Sequence, residues 1–183
     1  MKRIAYFILV KLLGWEISGT VPENVTKSVI TVAPHTSLWD FVVGRLAFWI
    51  LNINVKFIIN EKYFFWPLGG LLKLLGGVPV KQDKATKVLF QITQLFKTKE
   101  SFFMVITPEG TRSIAKEWKK GFYQIAKIAK VPVILAFIDY KFKKGGLGPV
   151  INITGDFNRD FNDIKNFYKQ FHAKHPEKYN LSG

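Results

Sequence analysis

Short apolar runs alternate with amphipathic stretches along this chain. Residues 28–33, 55–59, 78–81, 102–106 and 133–138 are brief runs rich in β-branched and aromatic side chains, with glycine, proline or polar residues at their ends. That is the pattern of strands covered on both faces. A further strand is expected over 150–154. Between these runs the period is helical. Residues 37–51 are apolar nearly all round, and 68–75 form a short leucine-rich helix beside paired glycines. Residues 84–98 set Val88, Ile92, Leu95 and Phe96 on one face with lysines elsewhere. Helices are also expected over 120–130 and 160–173. Such alternation predicts an α/β fold with a mixed, mainly parallel sheet flanked by helices.

The beginning of the chain has its own character. Residues 4–15 are apolar apart from Lys11 and a few small or polar positions, and they follow Lys2 and Arg3. The run is shorter than the roughly 18–20 residues that cross a bilayer. No small-residue cleavage site comes after it, so residues 1–20 are expected to hold an uncleaved amphipathic helix. Two placements suit this helix equally. It can lie in a membrane interface, anchored by Phe7, Trp15 and its cationic ends, or pack on the protein's own core. No repeat, low-complexity tract or linker interrupts the rest of the chain, and residues 1–183 read as one domain.

Composition narrows the function classes. Apolar residues make up 48% of the chain, with 17 phenylalanines, enough to leave apolar side chains for a lipid-facing surface. Cysteine is absent, which removes disulfides, thiolate metal sites and a cysteine nucleophile. A net charge of +14 draws the protein to polyanions. No nucleic-acid-binding motif is present, so an anionic membrane surface is the expected partner and nucleic acid is not. The run Tyr63-Phe64-Phe65-Trp66 reads as core, as the wall of an acyl-chain groove, or as a segment dipping into a bilayer. Lysines at 116, 119, 120, 141, 143 and 144 suit anionic lipids, phosphates or an acidic carrier, and equally a solvated face.

Two loops carry candidate chemistry. Among three histidines, His172 and His175 sit in a polar C-terminal stretch, whereas His35 follows the strand at 28–33 directly. Open α/β sheets place their sites at that edge. Asp40 comes early in the next helix, which Thr36 or Ser37 is expected to cap. From there a carboxylate can hold one imidazole nitrogen protonated and leave the other free to take a proton. The same spacing also suits a capped helix beside a satisfied loop histidine. The second loop, Thr107-Pro108-Glu109-Gly110-Thr111-Arg112-Ser113, follows the strand at 102–106. Gly110 permits close backbone approach, Thr111 offers a hydroxyl, Arg112 a fork suited to phosphate, and Glu109 a carboxylate to orient that arginine. An exposed Glu–Arg pair at a plain turn would look the same.

Taken in tandem, His35-x-x-x-x-Asp40 and Pro108-Glu109-Gly110-Thr111-Arg112 resemble the paired blocks of the glycerolipid acyltransferase family, typified by 1-acyl-glycerol-3-phosphate acyltransferases. The resemblance extends through Pro67-Leu68-Gly69, residues 77–80, Lys120-Gly121-Phe122 and Val131-Pro132-Val133, covering about residues 28–155. It implies transfer of a fatty acyl group from acyl-CoA or acyl-carrier protein to a hydroxyl of a lysophospholipid or glycerol-phosphate acceptor. His35 would be the general base and Asp40 its orienting partner, while Glu109, Gly110, Thr111 and Arg112 would hold the acceptor's polar head. It implies no metal and no cofactor beyond the acyl donor, no covalent acyl-enzyme on Ser37 or Ser113, and a cytoplasmic protein peripherally associated with the membrane. The chain departs from the family at Asn60, where a lysine is common, and at Lys81-Gln82, where Asp-Arg is common. Lys81, Lys84 and Lys62 are the cations that could substitute. The alternatives are an acceptor without phosphate, such as a lyso-aminolipid, and a non-catalytic basic lipid-binding protein.

Overall fold

The structure is a computed structural model that describes residues 1–81 and 85–181. Seven strands form one sheet: β1 Glu16–Ser18, β2 Lys27–Ala33, β3 Val55–Asn60, β4 Gly77–Val80, β5 Phe102–Ile106, β6 Val133–Asp139 and β7 Lys144–Ile151. Their spatial order is β1-β7-β6-β2-β5-β3-β4. From β6 through β4 every pairing is parallel, while β7 runs antiparallel to β6 and β1 follows β7. The expected mixed, mainly parallel α/β sheet is therefore present.

Helices cover both faces. α1 (Lys2–Tyr6), continued by wider π-type turns over Phe7–Leu12, packs with α2 (Trp39–Ile50) on one face. There Ala5, Leu9, Val43, Ala47 and Phe48 meet Ile30, Val105, Ile134 and Ala136. The opposite face takes α4 (Ala85–Thr98), α5 (Gly121–Ala129) and α6 (Phe157–Tyr168), whose Ile92, Phe96, Phe122, Ile125 and Ile164 pack on Val29, Met104, Val133 and Leu135. Strand neighbours such as Val29 and Ile30 thus feed different cores, because successive side chains point to opposite sides of a sheet. α3 (Leu68–Leu74) stands at the β4 end.

Three expectations need correction. The last strand begins well before residue 150, at Lys144. Gly145, Gly146, Gly148 and Pro149 disguise it, and the structure shows why glycine is there. A Cβ on Gly146 would collide with the Ser18 carbonyl, so β1 can lie alongside only a bare backbone. β1 was not among the expected strands, because the three residues Glu16-Ile17-Ser18 are too short an alternation to mark one. The final helix opens at Phe157 and ends at Tyr168, because Asp156 caps it by accepting from the Arg159 N–H at 3.2 Å.

The N-terminal segment packs on the protein's own core with one face and exposes apolar side chains on the other. Ala5, Leu9 and Trp15 are buried, while Ile4, Phe7 and Leu12 on the other side are more than half exposed. The helix ends at Leu12 and the remainder of the expected 1–20 element leads into β1. Among the described residues no helix is long and apolar enough to cross a membrane. In the aromatic run Tyr63, Phe65 and Trp66 are exposed rather than core, Trp66 almost fully at 92%, while Phe64 is partly buried.

Candidate active site

β2 and β5 are parallel neighbours, so the loops that leave their C-terminal ends emerge side by side at one rim of the sheet. A hydrogen bond ties them: the His35 backbone N–H donates to Glu109 Oε1 at 2.6 Å. Glu109 is only 1% exposed, and its Oε2 has no partner among the described residues. Burial pushes its carboxyl up to about 8, the His35 N–H opposes that, and the nearby Asp40 charge adds to it. Glu109 therefore does not orient Arg112, as the sequence suggested. It faces inward and braces the histidine loop.

His35 Nδ1 lies 3.2 Å from Asp40 Oδ2. The same oxygen accepts the N–H of Thr36 at 2.7 Å and of Ser37 at 2.8 Å, and Oδ1 accepts the Tyr140 hydroxyl at 2.7 Å. Burial alone would raise the Asp40 carboxyl. The bonds from His35, Tyr140 and Ser37 outweigh it, and the net shift is downward. Asp40 is thus an ionised, oriented carboxylate holding one face of the imidazole. The capping expectation is not met: the N-cap position of α2 is Leu38, which makes no side-chain capping bond. Ser37 Oγ accepts from the Trp39 N–H at 3.2 Å, but Thr36 Oγ1 accepts the His175 N–H at 3.2 Å. The tail thereby latches onto the histidine loop. His172 pairs with Asp139 at 3.0 Å and His175 with Glu177 at 3.5 Å; both are partly exposed, and neither lines the cavity described below.

A cavity of about 680 Å³ opens at this rim, lined by His35, Asp40, Thr107, Gly110 and Lys119 and, further in, by mainly apolar side chains. Gly110 has φ +65°, and a Cβ there would strike the Lys119 side chain. Thr111 and Arg112 are exposed beyond it and do not line the cavity. Lys81 lies at the end of β4, exposed, 4.0 Å from Glu61. Lys84 lies outside the described residues. The structure therefore brings His35, Asp40, Glu109 and Gly110 together and leaves Arg112, Thr111 and Lys81 on the surrounding surface. Among the described residues no three His, Asp or Glu side chains cluster to hold a metal.

Two residues that sequence reasoning passed over belong to the site. Tyr140 directly follows β6, at the same sheet edge as His35, and a polar aromatic there was the available signal. Arg45 is the lone cation in α2, whose other residues beyond Asp40 and Gly44 are apolar, and it lines the cavity.

A search of curated proteins finds no match. A solved structure, the 1-acyl-sn-glycerophosphate (LPA) acyltransferase PlsC from Thermotoga maritima, superposes with a TM-score of 0.66 at 19% identity, covering 92% of this chain and 75% of that one. It shares the fold. The family model described as Acyltransferase matches residues 16–138, which span both loops and the strands that carry them. With its paired loops, the strands that carry them and two thirds of its length accounted for by that match, the chain belongs to the acyltransferase family.

Proposed function

We propose that this protein transfers a fatty acyl group from a thioester, of coenzyme A or acyl-carrier protein, to a hydroxyl of a lysophospholipid or glycerol-phosphate type acceptor. One observation carries the reading: His35 is held through Nδ1 by a buried carboxylate at the mouth of a mainly apolar cavity. With Nδ1–H bonded to Asp40, Nε2 is the free base. It takes the acceptor hydroxyl's proton as that oxygen bonds to the thioester carbonyl carbon. Collapse of the tetrahedral intermediate breaks the C–S bond, and the departing thiolate takes the proton back from Nε2. An ester, a free thiol and a neutral imidazole remain. Asp40 stabilises the transient imidazolium and is not itself protonated.

The cavity suits the acyl chain because its walls are mainly apolar. Gly110, Thr111, Arg112 and Lys119 ring its mouth or stand just beyond, where a polar head would rest. Lys81 and Lys84 are further cations proposed for that head. The neighbour PlsC is described as acting on 1-acyl-sn-glycerophosphate, which supports a glycerolipid acceptor here. Because Arg112 lies outside the cavity lining, an acceptor without phosphate is the second reading. Exposed Trp66, Phe65, Ile4 and Phe7 and the net charge of +14 support peripheral association with an anionic membrane, at its cytoplasmic face.

The test is to supply labelled acyl-CoA and acyl-carrier protein with a panel of phosphorylated and non-phosphorylated lysolipids, and to identify products by mass spectrometry. We expect an acylated product whose formation falls by about 10²–10⁴ or more in His35→Ala, with unchanged circular dichroism. Wild-type turnover in that variant would remove His35 from the mechanism.

A further inference from the structure

Arg45 is the anomaly in this cavity. It is 7% exposed, and its Nε and Nη1 have no hydrogen-bond partner among the described residues. No carboxylate pairs with it among them either. Its guanidinium carbon lies 4.7 Å from the Trp49 ring centre and 5.9 Å from that of Phe57. Ring faces offset a buried cation's lost hydration only in part, and they satisfy none of its in-plane N–H donors. A guanidinium with two buried, unpartnered nitrogens in the wall of a cavity is a group waiting for an acceptor.

Its position defines where that acceptor must be. Phe41, Gly44, Arg45 and Phe48 all line the cavity, spaced as one stripe of a helix. α2 starts at the rim and runs inward, so Arg45 lies about 7.5 Å further along the axis than Asp40. The strands give a similar depth. Gly76 approaches the Arg45 guanidinium, and Gly76 and Phe57 are hydrogen-bonded neighbours. Phe57 is level with Val105 and hence with Ile30, three residues or about 10 Å below Ala33 at the rim. That level lies on the path of anything that enters the cavity past His35. An acyl chain with its carbonyl at His35 passes it.

Resting on the proposed reading that the acyl chain occupies this cavity, we infer that Arg45 selects chains carrying a hydrogen-bond-accepting oxygen well away from the thioester. A hydroxyl, keto or carboxylate group at mid-chain depth is the fitting chemistry. A carboxylate would engage two N–H groups of the fork, and a hydroxyl or ketone at least one. An unsubstituted chain would leave the guanidinium as unsatisfied as it is alone.

The experiment uses the full chain and neutral esters, so that no free carboxyl head competes for the arginine. Isothermal titration calorimetry compares methyl decanoate, methyl ω-hydroxydecanoate and monomethyl decanedioate. Wild-type protein is expected to bind the oxygenated esters at least about 10-fold more tightly, Arg45→Lys to keep part of that ratio, and Arg45→Met to reduce it to about one. Equal binding of the three esters by wild type overturns the inference, and so does a ratio that survives in Arg45→Met. The wild-type comparison decides the matter even if a variant fails to fold. Failure of the acyl-transfer reading is seen separately, as absence of product from every donor, whatever the binding ratio.

Discussion

Asp40 meets four donors with two oxygens: the imidazole, two loop N–H groups and the Tyr140 hydroxyl. Each bond favours the ionised form, and together they offset its burial. Tyr140 stays a donor, since burial and the Asp40 charge both raise its hydroxyl. Tyr140→Phe keeps the ring against Trp15, 5.2 Å away between centres, and removes only the hydroxyl. Loss of a bond to a charged acceptor, worth about 1.5–3 kcal/mol, should lower kcat/KM by about 10- to 100-fold. It should also move the acid limb of the pH–rate profile upward, because Asp40 then protonates more readily. A profile unchanged in position would make Tyr140 a packing residue only. Glu109 works in the opposite sense. Its carboxyl is raised from 4.5 to about 8 on folding, so the stability it contributes is complete below the unfolded value and is lost as pH rises through about 8. Denaturant titrations between pH 4.5 and 8 should show wild type losing up to about 4 kcal/mol relative to Glu109→Gln. Parallel pH curves for the two proteins would contradict the buried, protonated carboxyl.

At the scale of elements, the N-terminal helix buries one face and leaves the other exposed. Leu9 is fully buried against the α2 face, and Leu9→Ala should cost about 2–5 kcal/mol in chemical denaturation. Phe7 is 57% exposed on the other side. Phe7→Asp should leave the denaturation midpoint nearly unchanged while weakening sedimentation with vesicles. If Phe7→Asp binds vesicles as wild type does, the outward apolar face is not a membrane anchor. The strands were readable because β-branched runs buried on both faces leave a strong local pattern, and β2, β3 and β5 lie within a residue of their expected positions. β7 was displaced and β1 invisible because their pairing depends on close approach of bare backbone at Gly146 and Gly19, which no apolar period records.

For the whole molecule, net charge and apolar exposure act together. A protein of charge +14 is drawn to anionic bilayers with about 1 kcal/mol per lysine or arginine near the surface, an attraction that salt screens. Binding to phosphatidylserine-containing vesicles should therefore fall steeply as salt rises, with a salt-resistant remainder from inserted side chains such as Trp66. Binding indifferent to salt would mean that charge does not steer docking.

By itself the sequence determined the α/β alternation, the His35 and Asp40 spacing and the two loop motifs, because these are local properties: side-chain period, a helix start, short runs of defined residues. It could not say what Glu109 faces. That depended on β2 lying next to β5, which brings a backbone N–H and a carboxylate 74 positions apart into one hydrogen bond and turns a carboxylate expected at Arg112 toward the histidine loop. Nor could it show that Arg45 and Tyr140 enter the site while Arg112 stays outside the cavity lining. Burial and partnership are set by which elements pack together, and the free energy of a charged or polar group depends on those surroundings more than on its neighbours along the chain.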